Sequence, residues 1–532
     1  MFLSSLVDCV ILVAAACFLL YRYAARNKNY WKDQGVVHEK LSVVFGPILR
    51  LVMKPVCLGD QERCRKMGRV FGIYEGGKPT LMVSDPELVK QVLVKDFHLF
   101  PNRRQRQFDD AMLNNMMVFA PVERWRRIRP AASPAFSTGK LRKMNSLIQE
   151  CAKVTCRHLK NAAEKAEDVD VKQFYGHYAL DVIATCAFGT KLDSHTDTTN
   201  DFVTEARKAF SVKITPKLVF EVLFPGVLRA LKIKIRNDDP FGYFKKVCQG
   251  IIRNRQAHSQ SHEDFLQLMM EAQKGCLQPS TEGSSETEST LFDIGSEDMS
   301  TATFGAKGMT EDEALAQCVL FFLAGQDTTS STVAFAAYLL AVHPDAQDKL
   351  RKEVDECFAN HNKLSHSLKQ GPEPSLDVVS KLEYLHCIVS ETLRLYPPGT
   401  RIERAAHEDY VLGETGIKIP KDCVIAIPIY AMHHDPEFFP EPDAFKPERF
   451  SKDNVGSIRP YTYLPFGAGP RNCIGMRFAL QAVKLCLLHS VHNVEFVRAD
   501  KTQVPLTIRK GLAVLNVEDI TVGIRKQGRD DI

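Results

Sequence analysis

Residues 465–475 read Pro465-Phe466-Gly467-Ala468-Gly469-Pro470-Arg471-Asn472-Cys473-Ile474-Gly475. Three glycines and two prolines in so short a stretch exclude regular helix or strand, so this is a tight loop of specified shape. After Gly475 the chain turns helical, MRFALQAVKLCLLHSV. Cys473 therefore sits at a helix N-terminus, where free backbone N–H groups and the helix dipole favour a thiolate. Arg471 adds positive charge two residues earlier. A thiolate held this way suits a metal ligand or a nucleophile. A structural cysteine beside a turn would not need a phenylalanine, spaced glycines, an arginine and a final glycine around it.

Upstream of this loop lies a long helical pattern. Thr310-Glu311-Asp312-Glu313 has the form of a capping box. The run ALAQCVLFFLAGQDTTSSTVAFAAYLLAVH follows and is stopped by Pro344. At ~1.5 Å per residue it spans roughly 45 Å. It is apolar on nearly every face, which marks either a membrane span or the central helix of a large core. Its middle breaks the pattern: Gly325, Gln326, Asp327, Thr328, Thr329, Ser330 and Ser331 are consecutive. Burying such groups without partners costs on the order of a few kcal/mol each. Gly325 lets something approach the backbone. The island suggests a groove with an acid and an alcohol able to carry protons; a polar face touching solvent is the weaker reading between such apolar flanks.

Composition narrows the class. The 532 residues are 45% hydrophobic and 25% charged, ordinary globular values with material for a large core. The net charge of +5, with no basic arm and no paired zinc-finger spacing, gives no nucleic-acid signature. The cysteines number 15, an odd and dispersed set without a Cys-x-x-Cys pair, which argues for a reducing compartment and against a disulfide scaffold.

The amino terminus carries the mostly apolar run FLSSLVDCVILVAAACFLLY, residues 2–21, about the length that crosses ~30 Å of hydrocarbon. Arg22, Arg26, Lys28 and Lys32 follow it, so the rest of the chain is expected to stay cytosolic. A cleaved signal peptide would carry its charge before the apolar core, and here the early charge is Asp8. The expected organisation is a transmembrane anchor (1–24), a linker (25–59) and one catalytic domain (60–532). Residues 278–308, rich in Ser, Thr, Glu and Gly, read as a mobile surface loop inside that domain. Thr80–Leu93 opens as a strand, with Asp85-Pro86 starting a helix. Helical patterns dominate from Ser137 to about Met270, short strands from 397 to 465, and strands and turns after Val494. The fold class is mainly α with small β-sheets (α+β).

F-G-x-G-x-R-x-C-x-G, complete from Phe466 to Gly475, resembles the haem-binding loop of the cytochrome P-450 family. AGQDTT resembles that family's oxygen-activation stretch. Glu391 and Arg394 in ETLRLYPP, Arg449 in PERF, and Trp125 and Arg129 in ERWRRIRPAASPAF match its remaining motifs in order. NRR (102–104), SPAFSTGKL (133–141), LDVIATCAFGTKLDS (180–194), FLQLMM (265–270) and RIER (401–404) look most like its family 3 (3A-like) branch. The resemblance implies haem b with Cys473 as axial ligand, whose electron donation favours O–O cleavage. It implies Phe466 near the sulfur, Gly467, Gly469 and Gly475 shaping the loop against the porphyrin, and Arg471, Trp125, Arg129, Arg404 and Arg103 at the propionates. It implies Asp327 and Thr328 as proton route, Gly325 as room for dioxygen, and Glu391, Arg394 and Arg449 as a structural network.

The implied activity is monooxygenation of apolar small molecules, with electrons from NADPH through NADPH–cytochrome P-450 reductase. Cytochrome b5 is a further implied partner. The implied place is the endoplasmic reticulum membrane. Basic residues Arg126, Arg127, Lys140, Arg142 and Lys143 are candidates for reductase docking, and Phe108, Phe119, Phe210, Phe220 and Phe322 for pocket walls. A haem-thiolate isomerase or synthase acting on a lipid peroxide is the alternative, disfavoured because Asp327 and Thr328 are both present. A haem sensor would bring an output domain, and a zinc hydrolase built on His433, His434 and Asp435 lacks ligand spacing. One departure stands out: 29–47 reads NYWKDQGVVHEKLSVVFGP, without the family's Pro-rich hinge.

Overall fold

The computed structural model describes residues 25–40, 54–75, 77–104, 110–197, 200–210, 241–258, 264–276, 309–368, 373–510 and 514–527, with scattered positions in 8–23, at 108 and in 217–233. The acidic stretch 278–308 and most of the apolar run 2–21 lie outside the described residues. Among the described residues, no helix is long and apolar enough to cross a membrane.

The chain opens with a short helix α1 (Tyr30–Asp33) and α2 (Val56–Met67). Strands β1 (Val70–Glu75) and β2 (Lys78–Val83) form a hairpin in which Val70 faces Val83 and Glu75 faces Lys78. After β2 the Asp85 carboxylate accepts from Glu87 N and Leu88 N, and Pro86 occupies the first helical position, so the strand-to-helix switch falls at Asp85-Pro86 as expected. Helices α3 (Val122–Ala132), α4 (Thr138–Glu164), α5 (Val171–Phe188), α6 (Gly242–His258) and α7 (Phe265–Gln273) follow, with β3 (Asp168–Asp170) before α5. Then come α8 (Glu311–Val342), α9 (Pro344–Leu368) and α10 (Glu383–Leu395). Strands β4 (Ile402–Ala405), β5 (Tyr410–Leu412), β6 (Ile417–Ile419) and β7 (Val424–Ile427) precede α11 (Met476–Asn493), and β8 (Val494–Val497) and β9 (Thr521–Lys526) end the fold. The sheets run β1-β2-β7-β4, β3-β9-β8 and β5-β6. The fold is mostly helical with small sheets.

Helix α8 is the axis of the core. Its capping box is complete: Thr310 Oγ1 accepts from Glu313 N (3.2 Å) and Glu313 Oε2 accepts from Thr310 N (2.9 Å). Glu313 also takes a two-pronged bond from Arg127, Nη1 to Oε2 at 2.6 Å and Nη2 to Oε1 at 2.5 Å, which seats α3 beside the start of α8. Helix α5 lies along α8 and is pinned to α11 by Tyr178 Oη to Ala482 O (2.8 Å) and Tyr175 Oη to Ser490 Oγ (3.2 Å). Every described cysteine is a free thiol.

The stretch read as a linker packs onto the body. Trp31 is fully buried, donates from Nε1 to Ile73 O (3.0 Å), and is followed by a bridge from His38 to Gly72. Helix α2 buries Cys57 and Asp60. A single large side chain under β1 thus ties down the N-terminal approach where a Pro-rich hinge was missing.

Candidate active site

The cysteine loop is held by its own backbone. Gly467 N donates to Leu464 O (3.0 Å), Asn472 N to Gly469 O (2.9 Å) and Cys473 N to Phe466 O (2.9 Å). Gly467 (φ +75°) and Gly469 (φ +71°) adopt left-handed backbone that a side chain strongly disfavours. A Cβ on Gly469 would lie 2.0 Å from Leu93 O, so this glycine answers a close approach of protein backbone. Gly475 is the N-cap of α11, three residues before which Cys473 presents its sulfur. Cys473 keeps accessible surface although its surroundings are largely protein, so its sulfur is open to a small molecule. Burial pushes its thiol up, while the Gly475 N–H, Arg129 and Arg103 pull it down.

Four guanidiniums from distant parts of the chain converge near this loop. Arg129 donates to Asn472 O (3.0 Å) and Asn472 Oδ1 (2.8 Å), Arg103 to Arg471 O (3.4 Å), Arg471 to Ala120 O (3.1 Å) and Arg404 to Glu403 O (3.0 Å). Arg471 stacks over Trp125, 4.5 Å from the ring centroid. None of the four makes an ion pair with a carboxylate among the described residues, and Nε of both Arg404 and Arg471 is buried without a partner. Burial first, and neighbouring guanidiniums second, pull Arg471 down to about 8 and Arg404 to about 9. A guanidinium keeps its proton; the lowered values express how strongly this cluster calls for negative charge. Two carboxylates of a bound group would answer that call, and a haem would bring two propionates. The residues present fit it.

Helix α8 supplies the opposite wall. Phe321 packs on Phe478 of α11 (ring centroids 5.0 Å) and on Phe136 (5.6 Å), which lies 3.8 Å from where a Gly475 Cβ would be. One turn on, Ala324 is exposed and Gly325 to Thr328 are half-buried, at the midpoint of a helix buried on both flanks. Thr328 Oγ1 donates to Ala324 O (2.7 Å) within the helix. Asp327 points elsewhere: its Oδ1 accepts from Lys172 Nζ of α5 (2.8 Å), and the same ammonium contacts Ser331 Oγ. Gly325 was expected to leave room for dioxygen. Its missing Cβ would instead lie 2.6 Å from Ile183 Cδ1, so the glycine serves the close packing of α8 on α5.

A cluster of unpaired guanidiniums beside an accessible cysteine coincides with a match of the Cytochrome P450 family model over residues 40–522. The chain belongs to the cytochrome P450 family. It is 38% identical over 513 residues to Cytochrome P450 3A41 of Mus musculus, covering 95% of this chain and 94% of that protein. Cytochrome P450 3A11 of the same species is 38% identical over 94% of each chain. Cytochrome P450 3A31 of Mesocricetus auratus is 36% identical over 94% of this chain and 93% of its own. The 3A-like character of the sequence is thereby shown. Membership makes the protein a haem-dependent oxidoreductase that incorporates oxygen into small molecules and draws electrons from a redox partner.

The remaining P450 motifs form a closed network. Glu391 and Arg394, at i and i+3 on α10, are fully buried and joined by Nε to Oε2 (2.7 Å) and Nη2 to Oε1 (2.8 Å). Arg394 also donates to the carbonyls of His433 (2.9 Å), Pro442 (2.7 Å) and Ala444 (3.0 Å), and Glu391 accepts from Lys446 N (2.9 Å). Arg449 Nε stands 3.5 Å from Glu391. His433 accepts from Leu464 N at Nε2 (2.9 Å) and faces Arg394 O with Nδ1 (3.1 Å). That ring is a strut from the network to the cysteine loop.

Other expectations divide. Phe108 and Phe119 meet edge to face, centroids 4.7 Å apart. Phe322 is core, packed at tilted and edge-on angles among Phe244, Phe188 and Phe202. Phe220 is half-buried, and the side chain of Phe210 lies outside the described residues. Of the basic set, Arg127 is engaged by Glu313 and Arg142 by Asp377 (2.9 Å), whereas Arg126 and Lys143 are exposed. Lys140 is half-buried. The sequence reading missed Lys172. It lies 155 residues from Asp327, and nothing local marks it.

Proposed function

We propose that this P450 is a monooxygenase that inserts one oxygen atom into apolar small molecules such as steroids, lipids or xenobiotics. Electrons come from NADPH through a separate flavoprotein reductase, with cytochrome b5 as a further donor. The cofactor is haem b, with Cys473 as its axial ligand. The observation that carries the reading is a set of four arginines, Arg404 and Arg471 buried and Arg103 and Arg129 half-buried, without an ion-paired carboxylate among the described residues, around an accessible thiol.

When bound, the haem supplies the activation of dioxygen. Arg103, Arg129, Arg404 and Arg471 hold its propionates by charge-assisted bonds, and Trp125 keeps the Arg471 guanidinium flat. The apolar flanks of α8 exclude bulk water from the reacting side. Thr328 spends its proton on Ala324 O, which leaves its oxygen lone pairs to accept from a water. Asp327, about a third exposed and held by Lys172, is the acid of the proton route to the Thr328 side. The loop's Phe466, Gly467, Gly469 and Gly475 fix where the sulfur sits.

The protein is further proposed to be anchored by residues 1–24 in the endoplasmic reticulum membrane, with residues 60–532 as a cytosolic catalytic domain. Supporting this, the helical positions Ile11, Leu12, Phe18 and Leu19 are 58–68% exposed, unusual for large apolar side chains in water.

The test is incubation of the membrane-reconstituted protein with reductase, NADPH, isotopically labelled dioxygen and a panel of steroids, fatty acids and xenobiotics. One labelled oxygen atom per product, dependent on the reductase, is expected. Turnover of a lipid peroxide without reductase, and none with it, would overturn the reading in favour of an isomerase.

A further inference from the structure

Behind the propionate arginines runs a second set of charges. Arg104 Nε donates to Glu403 Oε2 (2.9 Å) and its Nη2 to Glu403 Oε1 (3.2 Å) and to Glu75. Glu75 Oε1 accepts from Arg401 Nη1 (2.8 Å). Arg401 grips Asp60 through Nε and through Nη2 (2.6 Å). Asp60 takes Arg63 Nη1 (2.6 Å), and Arg63 Nε reaches Glu39 (3.2 Å). Carboxylates and guanidiniums alternate without a break from Glu403 to Glu39, and the centre is dry: Asp60 is 1% and Arg401 7% exposed.

The backbone explains why this matters for the site. Asn102 bridges antiparallel to Ala405, with Ala405 N donating to Asn102 O (2.8 Å). Continuing that register sets Arg103 opposite Arg404, and Arg104 opposite Glu403. Side chains alternate faces along extended chain, so the two pairs point to opposite sides. One face presents two arginines directly opposite each other, a repulsive pair. The other face presents an attractive pair that starts the ladder.

We propose that the Glu403–Arg104–Glu75–Arg401–Asp60 ladder is a positioning device for the propionate cradle, clamping from behind β4 and the segment bridged to it at Asn102, whose front faces hold Arg103 against Arg404. A side-chain clamp of this kind acts as outer-shell partners do around a cofactor, fixing the groups that touch it. Glu39 lies at the far end of the same ladder, where loss of charge leaves that clamp intact.

The inference rests on the cradle binding haem. The experiment is transfer of haem from the purified holoprotein to excess apomyoglobin. Glu403→Gln is expected to speed haem loss about tenfold, the scale of outer-shell effects. Glu75→Gln, which keeps the Arg104–Glu403 bond, is expected to speed it less, and Glu39→Gln to leave it within about twofold of the unaltered protein. Glu403→Gln combined with Arg404→Lys is expected to be less than additive, because the first change acts through the second residue. Equal rates for Glu403→Gln and Glu39→Gln, or strict additivity in the double variant, would overturn the proposal. If Glu403→Gln fails to fold, the contrast between Glu75→Gln and Glu39→Gln decides by the same criterion. Failure of the cradle reading looks different: the unaltered protein itself would purify without haem.

Discussion

Arg394 and Arg404 are both buried to 2% exposure or less, yet their surroundings are opposites. Arg394 meets both oxygens of Glu391 and three backbone carbonyls, so its charge and its N–H groups are answered by the protein. Arg404 meets one carbonyl, leaves Nε unpaired, and sits near Arg103 with no carboxylate in contact among the described residues. A buried charge persists only when something matches it. The first region is therefore complete as a piece of scaffold. The second is complete only around an anionic ligand. Burial and residue type alone do not distinguish a structural arginine from a binding one; the partner does.

The comparison is sharpened most by breaking the complete region. Glu391→Gln leaves Arg394 buried and uncompensated, and is expected to cost about 3–5 kcal/mol, seen as loss of folded protein or a steep fall in unfolding midpoint with or without haem. A cost under ~1 kcal/mol would mean that the pair behaves like a surface ion pair. Arg404→Met acts on the incomplete region, and there the effects separate. Haem retention is expected to fall about tenfold. The haem-free protein is expected to be unchanged or more stable by about 1 kcal/mol, because an unmatched cation has gone. A stability loss equal to that of Glu391→Gln in denaturant titrations of the haem-free protein would break the distinction.

Arg449→Met tests the edge of the complete region. Arg449 reaches Glu391 only at 3.5 Å and bonds Glu441 O at 2.9 Å, so about 1–2 kcal/mol is expected in the same titrations. The smallest effect belongs to pH. Burial raises the Glu75 carboxyl, but Arg104 and Arg401 outweigh it and hold the group well below its ordinary value of 4.5. Its contribution to folding stability is therefore full above about 4.5 and declines as pH falls toward the much lower folded value, because the unfolded chain takes up the proton first. Glu75→Gln should flatten that acid limb in a pH series of denaturant titrations, and an unchanged limb would remove Glu75 from the account.

Much of this was legible locally. The cysteine loop, the Thr310–Glu313 cap, the stop at Pro344 and the Glu391–Arg394 pair each announce themselves within a few residues, because turn geometry, capping and helix spacing are short-range rules. What was not legible depends on chain segments meeting across the fold. Lys172 holds Asp327 from another helix. Gly325 and Gly469 leave no room for a Cβ because Ile183 and Leu93 O arrive from elsewhere in the chain. Trp31 docks a stretch that reads in sequence only as a linker without a Pro-rich hinge. Arg127 and Arg142 look available in sequence, but their carboxylates are far along the chain.

The central claim is that Cys473 ligates haem iron inside the arginine cradle, and the reduced, carbon-monoxide-treated protein tests it most directly. A strongly red-shifted Soret band, typical of thiolate ligation, is predicted for the unaltered protein and absent in Cys473→Ser. A colourless protein after expression with ample haem, a histidine-type band, or an unchanged band in Cys473→Ser would contradict it.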